Sequence, residues 1–501
     1  MTTAIDASEL TARVGETLNC WPVAGLAVGV IRDGALAWFH GHGVADIEAG
    51  TPVGQDTVFR IASVTKTITA IAVMQLHEQG LVDLDAPASD YLHAYQLIPA
   101  RPGWRPATLR HLLTHTAGVR AVRTPSDLLR PALGWAAPAG QPMPPLADYY
   151  RGGLHIDTEP GTRWAYSNHG FATLGQIVAD VSGLRLDRYL RERVFGPLGM
   201  QHTDLLRSER VRPGLATGYQ LRSHGLRPVT DREIVPAGGG AVYSTTSDMA
   251  RYAAALLGGG AGQHGRVLRP ETLAAMFEPA YQPDPRIPGM GLGFFRGQAG
   301  AHRTVGHDGI WAGFHSALLL APDQGTGVVV FANTGPFSPL AATGPVASAV
   351  LRSLLGLPPD AVRTGVPEQP RVWGDLCGWY SLGPGVLTDP QPRMLGAAQV
   401  AVRHSHLTIR GQIPVPAVRQ GLRLYPDGDD PYAFRVDLPG FGSGTSPVVF
   451  SRDPGGQVTA LHLGVLPMSF RRRPGRRNPR QGRLPPRPAA CTSSTGMAEG
   501  L

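Results

Sequence analysis

Two pairs of short apolar runs predict antiparallel hairpins in the first 350 residues. Residues 25–31 and 35–40 flank Asp33-Gly34, a dipeptide that favours a two-residue hairpin turn. Residues 314–320 and 328–331 are rich in Leu, Val and Phe and flank a turn-like segment that ends at Gly325. The sequence therefore predicts one hairpin near the N-terminus and a second one late in this region.

Between the hairpins, the apolar positions follow a helical period. Apolar residues from Ile68 to Leu76 lie among good helix formers after Ser63, and Gly80 is a stop signal. A second helical stretch is predicted to open at residues 166–168 and to run through Val181. Further helices are predicted at 109–113, 185–196, 247–257 and 270–278. Strands and helices together indicate a mixed α/β (α+β) fold for residues 1–357.

The pattern changes after residue 357. Residues 358–372 contain four prolines and read as a linker. Residues 373–472 show short strand-like runs separated by Gly and Pro, which predict a small antiparallel barrel or sandwich. These runs are 378–380, 399–402, 407–409, 433–436, 448–450 and 458–463. Residues 473–501 are rich in Pro and Arg without apolar periodicity and are expected to be disordered.

Composition and charge indicate a globular protein and argue against nucleic-acid binding by its folded part. The chain has 501 residues, 42% of them hydrophobic and 17% charged, which is typical of a globular protein of two or three domains. Its net charge is +8, but residues 471–501 hold eight arginines and one glutamate, so the rest of the chain is about neutral. A basic face for nucleic acid is therefore not expected on the folded part.

Cysteine usage and hydropathy give no sign of secretion or membrane insertion. The three cysteines, Cys20, Cys377 and Cys491, are far apart and show neither a disulfide framework nor a metal-binding spacing. The N-terminus has no basic segment followed by an apolar run, and no stretch is long and apolar enough to span a bilayer. We expect a cytoplasmic protein without a membrane span, a metal or a cofactor; its oligomeric state stays open.

The candidate chemistry begins at Ser63 and Lys66. Lys66 is the only lysine in a chain with 45 arginines, and it follows Ser63 by three positions. Residues three apart on a helix are neighbours, so the amine is expected to reach the hydroxyl. Arginine cannot lose its proton in a protein, whereas burial can bring a lysine towards neutrality. Lys66 is therefore a candidate base and Ser63 a candidate nucleophile, although a helix cap beside a solvated lysine is the plain alternative.

Two further short motifs stand later in the chain. Tyr166 and Asn168 form a Y-x-N triplet in a protein with only four asparagines. His307 and Gly309 form an H-x-G triplet just before the second hairpin. A buried tyrosine and a satisfied histidine are the ordinary structural readings of these residues, but a phenol, an imidazole and a glycine that lets backbone approach a ligand also suit a catalytic cleft.

Taken in order, these motifs resemble those of the serine β-lactamase and penicillin-binding-protein superfamily, in its class C-like branch with the family VIII esterases. Members carry S-x-x-K at a helix start, Y-x-N between helices, and K-T-G or H-x-G on an edge strand beside the site. The segment 112–118, L-L-T-H-T-A-G, is also similar, and the resemblance covers about residues 10–357. It implies an antiparallel sheet flanked by helices, a helical subdomain, and a lipocalin-like small β domain at 373–472.

The resemblance also implies roles for these residues in a serine hydrolase. Ser63 would form an acyl-enzyme, with Lys66 alone or paired with Tyr166 as the base. Tyr166 would also serve the leaving group and the deacylating water, and Asn168 would orient Lys66 or the substrate. The oxyanion would be held by the backbone N–H groups of Ser63 and Ile310. A Tyr166 phenolate would need stabilisation by nearby positive charge, a question that the sequence leaves open.

The H-x-G triplet bears on the substrate. Members with K-T-G keep a permanent positive charge near the substrate carboxylate, whereas His307 carries at best a partial charge at neutral pH. We therefore expect small esters or amides without that carboxylate, and weak or no β-lactamase activity. Arg303 is near enough in sequence to replace the missing cation, which keeps a peptidase open.

Other functions remain possible from sequence alone. They are an acyltransferase, a true β-lactamase or D-Ala-D-Ala carboxypeptidase, and a catalytically silent scaffold or ligand-binding protein on the same fold. Retention of the single lysine argues against the silent protein. The expected partner is a small ester, amide or peptide. Residues 119–150, which are rich in Pro and Ala, are a candidate lid or pocket wall, or a plain surface loop.

Overall fold

The computed structural model describes residues 5–130, 134–138, 143–335, 341–382, 396–411, 416–438 and 444–473. Apart from Arg473, the predicted basic tail at 473–501 lies outside these residues. None of the helices in the described ranges is both long and apolar enough to cross a bilayer.

A seven-stranded antiparallel sheet forms the centre of the larger part of the chain. Its strands are β1 Gly25–Arg32, β2 Ala35–Asp46, β3 Thr51–Pro52, β4 Phe295–Ala299, β5 His302–Trp311, β6 Phe314–Ala321 and β7 Thr326–Ala332. They are arranged in the order β4-β5-β6-β7-β1-β2-β3. The predicted first hairpin is present, since Arg32 pairs with Ala35 and both Asp33 and Gly34 have positive φ.

Strand β1 is apolar along nearly its whole length because both faces of the sheet are covered. Leu26, Val28 and Val30 pack with the helices Ala7–Leu18 and Thr343–Leu354, whereas Ala27 and Ile31 face the core that contains the helices Thr65–Glu78 and Thr246–Leu257. The helices are α1 Ala7–Leu18, α2 Thr65–Glu78, α3 Leu109–Leu113, α4 Leu146–Tyr149, α5 Asn168–Ser182, α6 Leu186–Leu190, α7 Gly196–Leu198, α8 Thr246–Leu257, α9 Pro270–Phe277, α10 Thr343–Leu354, α11 Trp373–Leu376 and α12 Pro416–Gln420. This architecture confirms the mixed α/β prediction.

Two details differ from the sequence prediction. The helix expected at 185–196 is interrupted, because a π-helical turn at Arg191–Phe195 separates α6 from α7. His307 does not precede a hairpin but lies inside β5, which itself forms a hairpin with β6 through Ala312 and Gly313. Gly306 and Gly309 flank the His307-Asp308 pair, and glycine is rare in strands, so composition concealed this strand.

Four short strand pairs lie outside the seven-stranded sheet in the described ranges. They are Phe59–Arg60 with Tyr243–Ser244, Leu97–Pro99 with Leu154–Ile156, Ala136–Pro138 with Arg232–Ile234, and Tyr219–Arg222 with Gly225–Pro228. The first pair leads directly into the segment that carries Ser63.

A closed eight-stranded antiparallel barrel follows, which is one of the two forms, barrel or sandwich, that the sequence predicted. Its strands are β8 Gly378–Ser381, β9 Ala397–Arg403, β10 His406–Arg410, β11 Leu422–Pro426, β12 Ala433–Asp437, β13 Thr445–Arg452, β14 Val458–Leu463 and β15 Met468–Arg472. Tyr380 and Ser381 of β8 pair with Arg472 and Arg471 of β15, which closes the barrel. Its core also contains Trp164 from the larger part of the chain.

Candidate active site

Ser63 lies in a tight turn immediately before α2. The strand residues Phe59 and Arg60 lead into a 3₁₀ turn, Ala62–Val64, and α2 begins at Thr65. Ala62 has φ of 44°, a conformation that costs energy for a residue with a side chain. This strained turn presents Ser63 at the N-terminal end of the helical segment, where backbone N–H groups lack helical partners and the helix dipole favours an anion.

Lys66 is fully buried and contacts three polar atoms. Its Nζ lies 3.0 Å from Ser63 Oγ, 2.6 Å from Asn168 Oδ1 and 2.5 Å from the carbonyl oxygen of Gly239. A neutral amine has two N–H donors and one lone pair. If the two donors serve Asn168 and Gly239, which can only accept at these atoms, the lone pair is left facing the Ser63 hydroxyl.

The surroundings of Lys66 disfavour its charged form. Desolvation lowers the pKa of Lys66 well below the ordinary value of 10.5. The Nζ atom lies 4.7 Å from the centre of the Tyr166 ring and 5.7 Å from that of Phe171, and no carboxylate among the described residues pairs with it. The aromatic faces compensate the charge only in part, so the amine is poised to lose its proton.

Tyr166 lies beside Ser63 and Lys66 and is the third member of the candidate catalytic group. Its side chain hydrogen-bonds with the Ser63 hydroxyl, and desolvation together with the Asp308 carboxylate raises the pKa of the phenol. His307 cannot supply a compensating charge, because burial and the neighbouring Lys66 lower the pKa of His307 to about 3. Burial thus shifts both pKa values towards the uncharged forms, the phenol of Tyr166 and the amine of Lys66.

Close packing against glycines brings Asn168 and Gly239 to Lys66. The Ser167 hydroxyl caps α5 by accepting from the Gly170 N–H, so that Asn168 is the first helical residue. A Cβ on Gly239 would lie 2.9 Å from the Asn168 carbonyl oxygen, and one on Gly238 would lie 2.7 Å from that of Phe171. Only glycine fits here. The sequence signal was the run of three glycines at 238–240, which our sequence reasoning did not use.

His307 and Gly309 lie on the part of β5 that has no partner on its outer side. Strand β4 pairs with residues 302–306 only, so the edge of β5 is open from His307 onwards. The His307 ring packs 4.8 Å from that of Phe295 and 6.3 Å from that of Tyr166, while its Nδ1–H donates to the Asp308 carbonyl at 2.7 Å. Its buried Nε2 has no hydrogen-bond partner among the described atoms.

Gly309 brings the β5 backbone against the Ser63 turn. A Cβ at this position would lie 2.2 Å from Ser316 Oγ, 2.3 Å from the Ile61 carbonyl oxygen and 3.1 Å from Ser63 N. The missing side chain lets the Gly309 backbone approach Ser63 N, and an oxyanion hole formed by the N–H groups of Ser63 and Ile310 stays a prediction.

We expect Gly309→Ala to lower kcat/KM for a phenyl ester by about 100-fold, because the new methyl group pushes β5 away from the Ser63 turn and displaces the two backbone donors. Gly15→Ala is the matched control, since no atom lies within 4 Å of a Cβ there and α1 is far from the site. Steady-state kinetics check both variants. Full activity of Gly309→Ala would contradict this geometry.

Sequence reasoning missed His115. This residue has φ of 56°, its ring centre is 4.3 Å from that of Tyr166, and its Nδ1 accepts the Ser167 N–H at 3.2 Å. Its carbonyl oxygen also accepts the Ala165 N–H. His115 thus holds the backbone on both sides of Tyr166. The sequence analysis identified the segment 112–118, but the residue types do not show that the backbone of His115 is strained.

The barrel packs against the segment that holds Tyr166. Trp164 and Met290 belong to the barrel's hydrophobic core, and Tyr166 and Phe295 pack against that core. Arg163 Nη1 also donates to the Leu382 carbonyl at 3.1 Å. The small β domain is therefore adjacent to the site rather than a remote appendage.

Two other expectations can be compared with the structure. Arg303 is held by Glu278 at 2.6 Å and Asp323 at 2.9 Å, so this guanidinium is engaged away from Ser63. In the candidate lid, Trp135 and Tyr150 both hydrogen-bond with the ring of His169, next to Asn168. Residues 131–133 and 139–142 lie outside the described ranges, and the role of this segment as a lid stays a prediction.

Comparison with known proteins decides the family. A family profile described as Beta-lactamase matches residues 21–351, more than half of the chain. The chain belongs to the Beta-lactamase family. Among relatives of this family, the putative penicillin-binding protein PbpX of Bacillus subtilis (strain 168) is 26% identical over 311 residues, which cover 61% of our chain and 69% of PbpX. Esterase EstB of Burkholderia gladioli is 30% identical over 320 residues, covering 58% and 80%.

Solved structures agree with this Beta-lactamase-family fold. The octameric penicillin-binding protein homologue from Pyrococcus abyssi aligns with 93% of this chain and 100% of its own, with a TM-score of 0.59 and 23% identity. At that identity the likeness supports the fold alone. The aligned segments span between 46% and 69% of the length of the first three relatives.

Proposed function

We propose that this chain is a serine hydrolase that cleaves small esters or amides through an acyl-enzyme on Ser63. The observation that carries the proposal is the contact set of Lys66, a fully buried amine whose Nζ lies within hydrogen-bond distance of Ser63 Oγ and of two further oxygen acceptors. Membership of a family that contains serine hydrolases, and the similarity to an esterase, support it. A structural lysine would more ordinarily carry its head group to solvent or pair with a carboxylate.

In the proposed first step, Lys66 takes the Ser63 proton while Oγ attacks the substrate carbonyl carbon. The negative charge on the former carbonyl oxygen is held by the N–H groups of Ser63 and Ile310. The C–O or C–N bond then breaks as Tyr166 gives its proton to the leaving group, and the Lys66 ammonium returns a proton to Tyr166, so that both groups are neutral in the acyl-enzyme. Water next attacks the acyl carbonyl carbon and gives its proton to Lys66. The bond between Ser63 Oγ and the acyl carbon then breaks, Oγ takes that proton from Lys66, and the acid departs.

This assignment makes Lys66 the base in preference to a Tyr166 phenolate. The pKa of Lys66 is lowered and that of Tyr166 is raised, so a proton resides on the phenol rather than on the amine. The absence of charge on His307 favours substrates without a carboxylate at that position. Carboxylate-bearing β-lactams and D-Ala-D-Ala peptides are accordingly expected to be poor substrates.

Active-site labelling tests the proposal. A fluorophosphonate probe is expected to label the wild-type protein and the Ser8→Ala control, in which an exposed serine is removed, but not Ser63→Ala. Intact-protein mass spectrometry measures the adduct. Labelling that persists in Ser63→Ala, or no labelling of a folded wild type together with no ester or amide turnover, would contradict the proposed function.

A further inference from the structure

A loop of the larger part of the chain is held on the barrel by an arginine. The loop comprises residues 281–290 and lies between α9 and β4. The Arg286 guanidinium donates to the two carboxylate oxygens of Asp284, at 2.7 and 2.9 Å. It also crosses to the barrel and donates to the Asp430 carboxylate at 2.7 Å and to the Phe450 carbonyl at 2.9 Å. Charge-assisted hydrogen bonds are stronger than neutral ones, so these contacts form a clamp between the loop and the barrel.

A row of hydrogen bonds continues from the clamp across three barrel strands. Ser451, His462 and Ser469 alternate with core side chains on β13, β14 and β15, so they lie on the outer face of the barrel. Ser451 Oγ donates to Asp284 at 2.7 Å. Because Ser451 gives its only hydrogen to this carboxylate, it accepts from His462 Nε2–H at 2.9 Å, and His462 Nδ1 accepts from Ser469 at 2.8 Å. A neutral imidazole thus satisfies the whole row.

The clamped loop leads to the candidate active site through two aromatic side chains. Met290, the last residue of the loop, lies in the barrel core and forms a backbone bridge with Phe295. The Phe295 ring centre is 4.8 Å from that of His307. The Trp164 ring, also in the barrel core, is centred 6.3 Å from that of Phe295 and 6.2 Å from that of Tyr166. A shift of the loop on the barrel therefore reaches rings that contact both site residues.

We propose that Arg286 and Asp284 are positioning residues, which fix the loop on the barrel so that the shared core holds Trp164 and the nearby Tyr166 in the geometry needed for catalysis. The barrel is then part of what places the phenol, and not only an appendage. This inference rests on the proposed function, because it concerns the placement of Tyr166 for proton transfer. A misplacement of about 1 Å can lower a rate by up to about 100-fold, so a modest shift is measurable.

Arg286→Met removes the guanidinium and keeps much of the length of the side chain. Arg303→Met is the matched control, because the two arginine side chains are 33% and 30% exposed and each bridges two carboxylates. The partners of Arg303 are Glu278 and Asp323, which both lie in the larger part of the chain. The control therefore removes an equivalent ion pair without touching the barrel contact.

Hydrogen exchange measures the placement of Tyr166 independently of activity. The amides one residue before and one residue after Tyr166 donate to His115, at 2.8 and 3.2 Å. In Arg286→Met we expect a peptide that spans residues 163–168 to exchange about tenfold faster, because the loosened core lets this segment open more often. Peptides of α8 should be unchanged, and Arg303→Met should exchange like the wild type. Mass spectrometry of the intact chain, digested after labelling, measures all of these rates.

Ester kinetics measure the consequence for catalysis. p-Nitrophenolate leaves without a proton, whereas ethanol needs one from Tyr166 in the proposed mechanism. In Arg286→Met we therefore expect kcat/KM for ethyl butyrate to fall about tenfold more than that for p-nitrophenyl butyrate. Ser451→Ala removes one hydrogen bond to Asp284 and should change this ratio in the same direction by about threefold. Arg303→Met should keep the wild-type ratio.

The possible outcomes separate this inference from the proposed function. Unchanged exchange at 163–168 in Arg286→Met, or equal changes in Arg303→Met, overturns the positioning role while the hydrolase stands. Faster exchange with equal effects on both esters makes the clamp purely structural and also overturns the inference. Absence of Ser63-dependent turnover of both esters in the wild type overturns the proposed function, and the positioning role with it.

Discussion

Lys66→Met is expected to lower kcat/KM for phenyl butyrate by about 10³-fold, because the variant has no base beside Ser63. Methionine has a similar length and no polar atom, so it suits a fully buried position. Lys66→Arg is expected to lose as much, since a guanidinium keeps its proton and its planar head does not match the three contacts of Nζ. Steady-state kinetics on the purified variants measure both effects.

The pH dependence gives an independent check on the same residue. Wild-type kcat/KM should rise with pH as the Lys66 ammonium loses its proton, and should level off well below the ordinary lysine pKa of 10.5. The residual activity of Lys66→Met should lack this rise. Undiminished turnover in either variant, or a wild-type profile that still rises steeply near pH 10, would exclude Lys66 as the base.

Lys66→Met should raise the free energy of unfolding at neutral pH although it lowers the activity. The pKa of Lys66 is lower in the folded state, so the unfolded chain binds the extra proton between that lowered value and 10.5. The free energy of unfolding of the wild type should therefore fall as the pH drops through this window. Lys66→Met removes that penalty and is expected to be the more stable protein at neutral pH, a difference that urea unfolding measures and that should disappear above pH 10.5.

The contact between Ser63 and Lys66 could be predicted because it depends on local geometry. Three residues of helix or 3₁₀ turn bring the two side chains together whatever the rest of the fold does, and the measured distance is 3.0 Å. The approach of Tyr166 and His307 to Ser63 and Lys66 could be expected only from the order of the three motifs along the chain. No local rule relates segments that are more than one hundred residues apart.

Our sequence reasoning missed two supporting residues, His115 and Gly239, for two physical reasons. His115 acts through a positive φ and through a ring stacked on Tyr166, both of which depend on tertiary packing. Gly239 acts through its carbonyl oxygen, which any residue has, and its own identity matters because Asn168 leaves no room for a Cβ. Backbone atoms and steric limits leave little trace in a single sequence.

Two strands of the barrel also could not be predicted from local sequence. Most of its strands were predicted from apolar runs, whereas β11 and β15 were not. Residues 422–426 bury only two side chains between exposed or half-buried ones, and residues 468–472 end in two arginines. Two alternating apolar positions are too few to distinguish a strand from a loop in the sequence. In the folded barrel β11 pairs with β10 and β12, and β15 pairs with β14 and β8, so both strands depend on tertiary partners.

Tyr166→Phe is expected to affect substrates according to their leaving group. p-Nitrophenolate leaves without needing a proton, so kcat/KM for p-nitrophenyl butyrate should fall only about tenfold if Lys66 alone activates Ser63. The ethyl ester must leave as an alcohol, and its kcat/KM should fall about 10³-fold when the phenol that delivers the proton is removed. The ratio of the two losses measures the role of Tyr166 apart from any general damage.

Tyr252→Phe is the matched control for this variant. Tyr252 of α8 is also fully buried and donates its hydroxyl to Thr67 of α2 at 2.9 Å, so the control removes one buried phenol oxygen that contacts α2 without touching Ser63. It should leave the ratio between the two esters at the wild-type value. Equal losses for both esters in Tyr166→Phe would instead place Tyr166 in the attack of Ser63, because removal of the serine proton precedes departure of either leaving group.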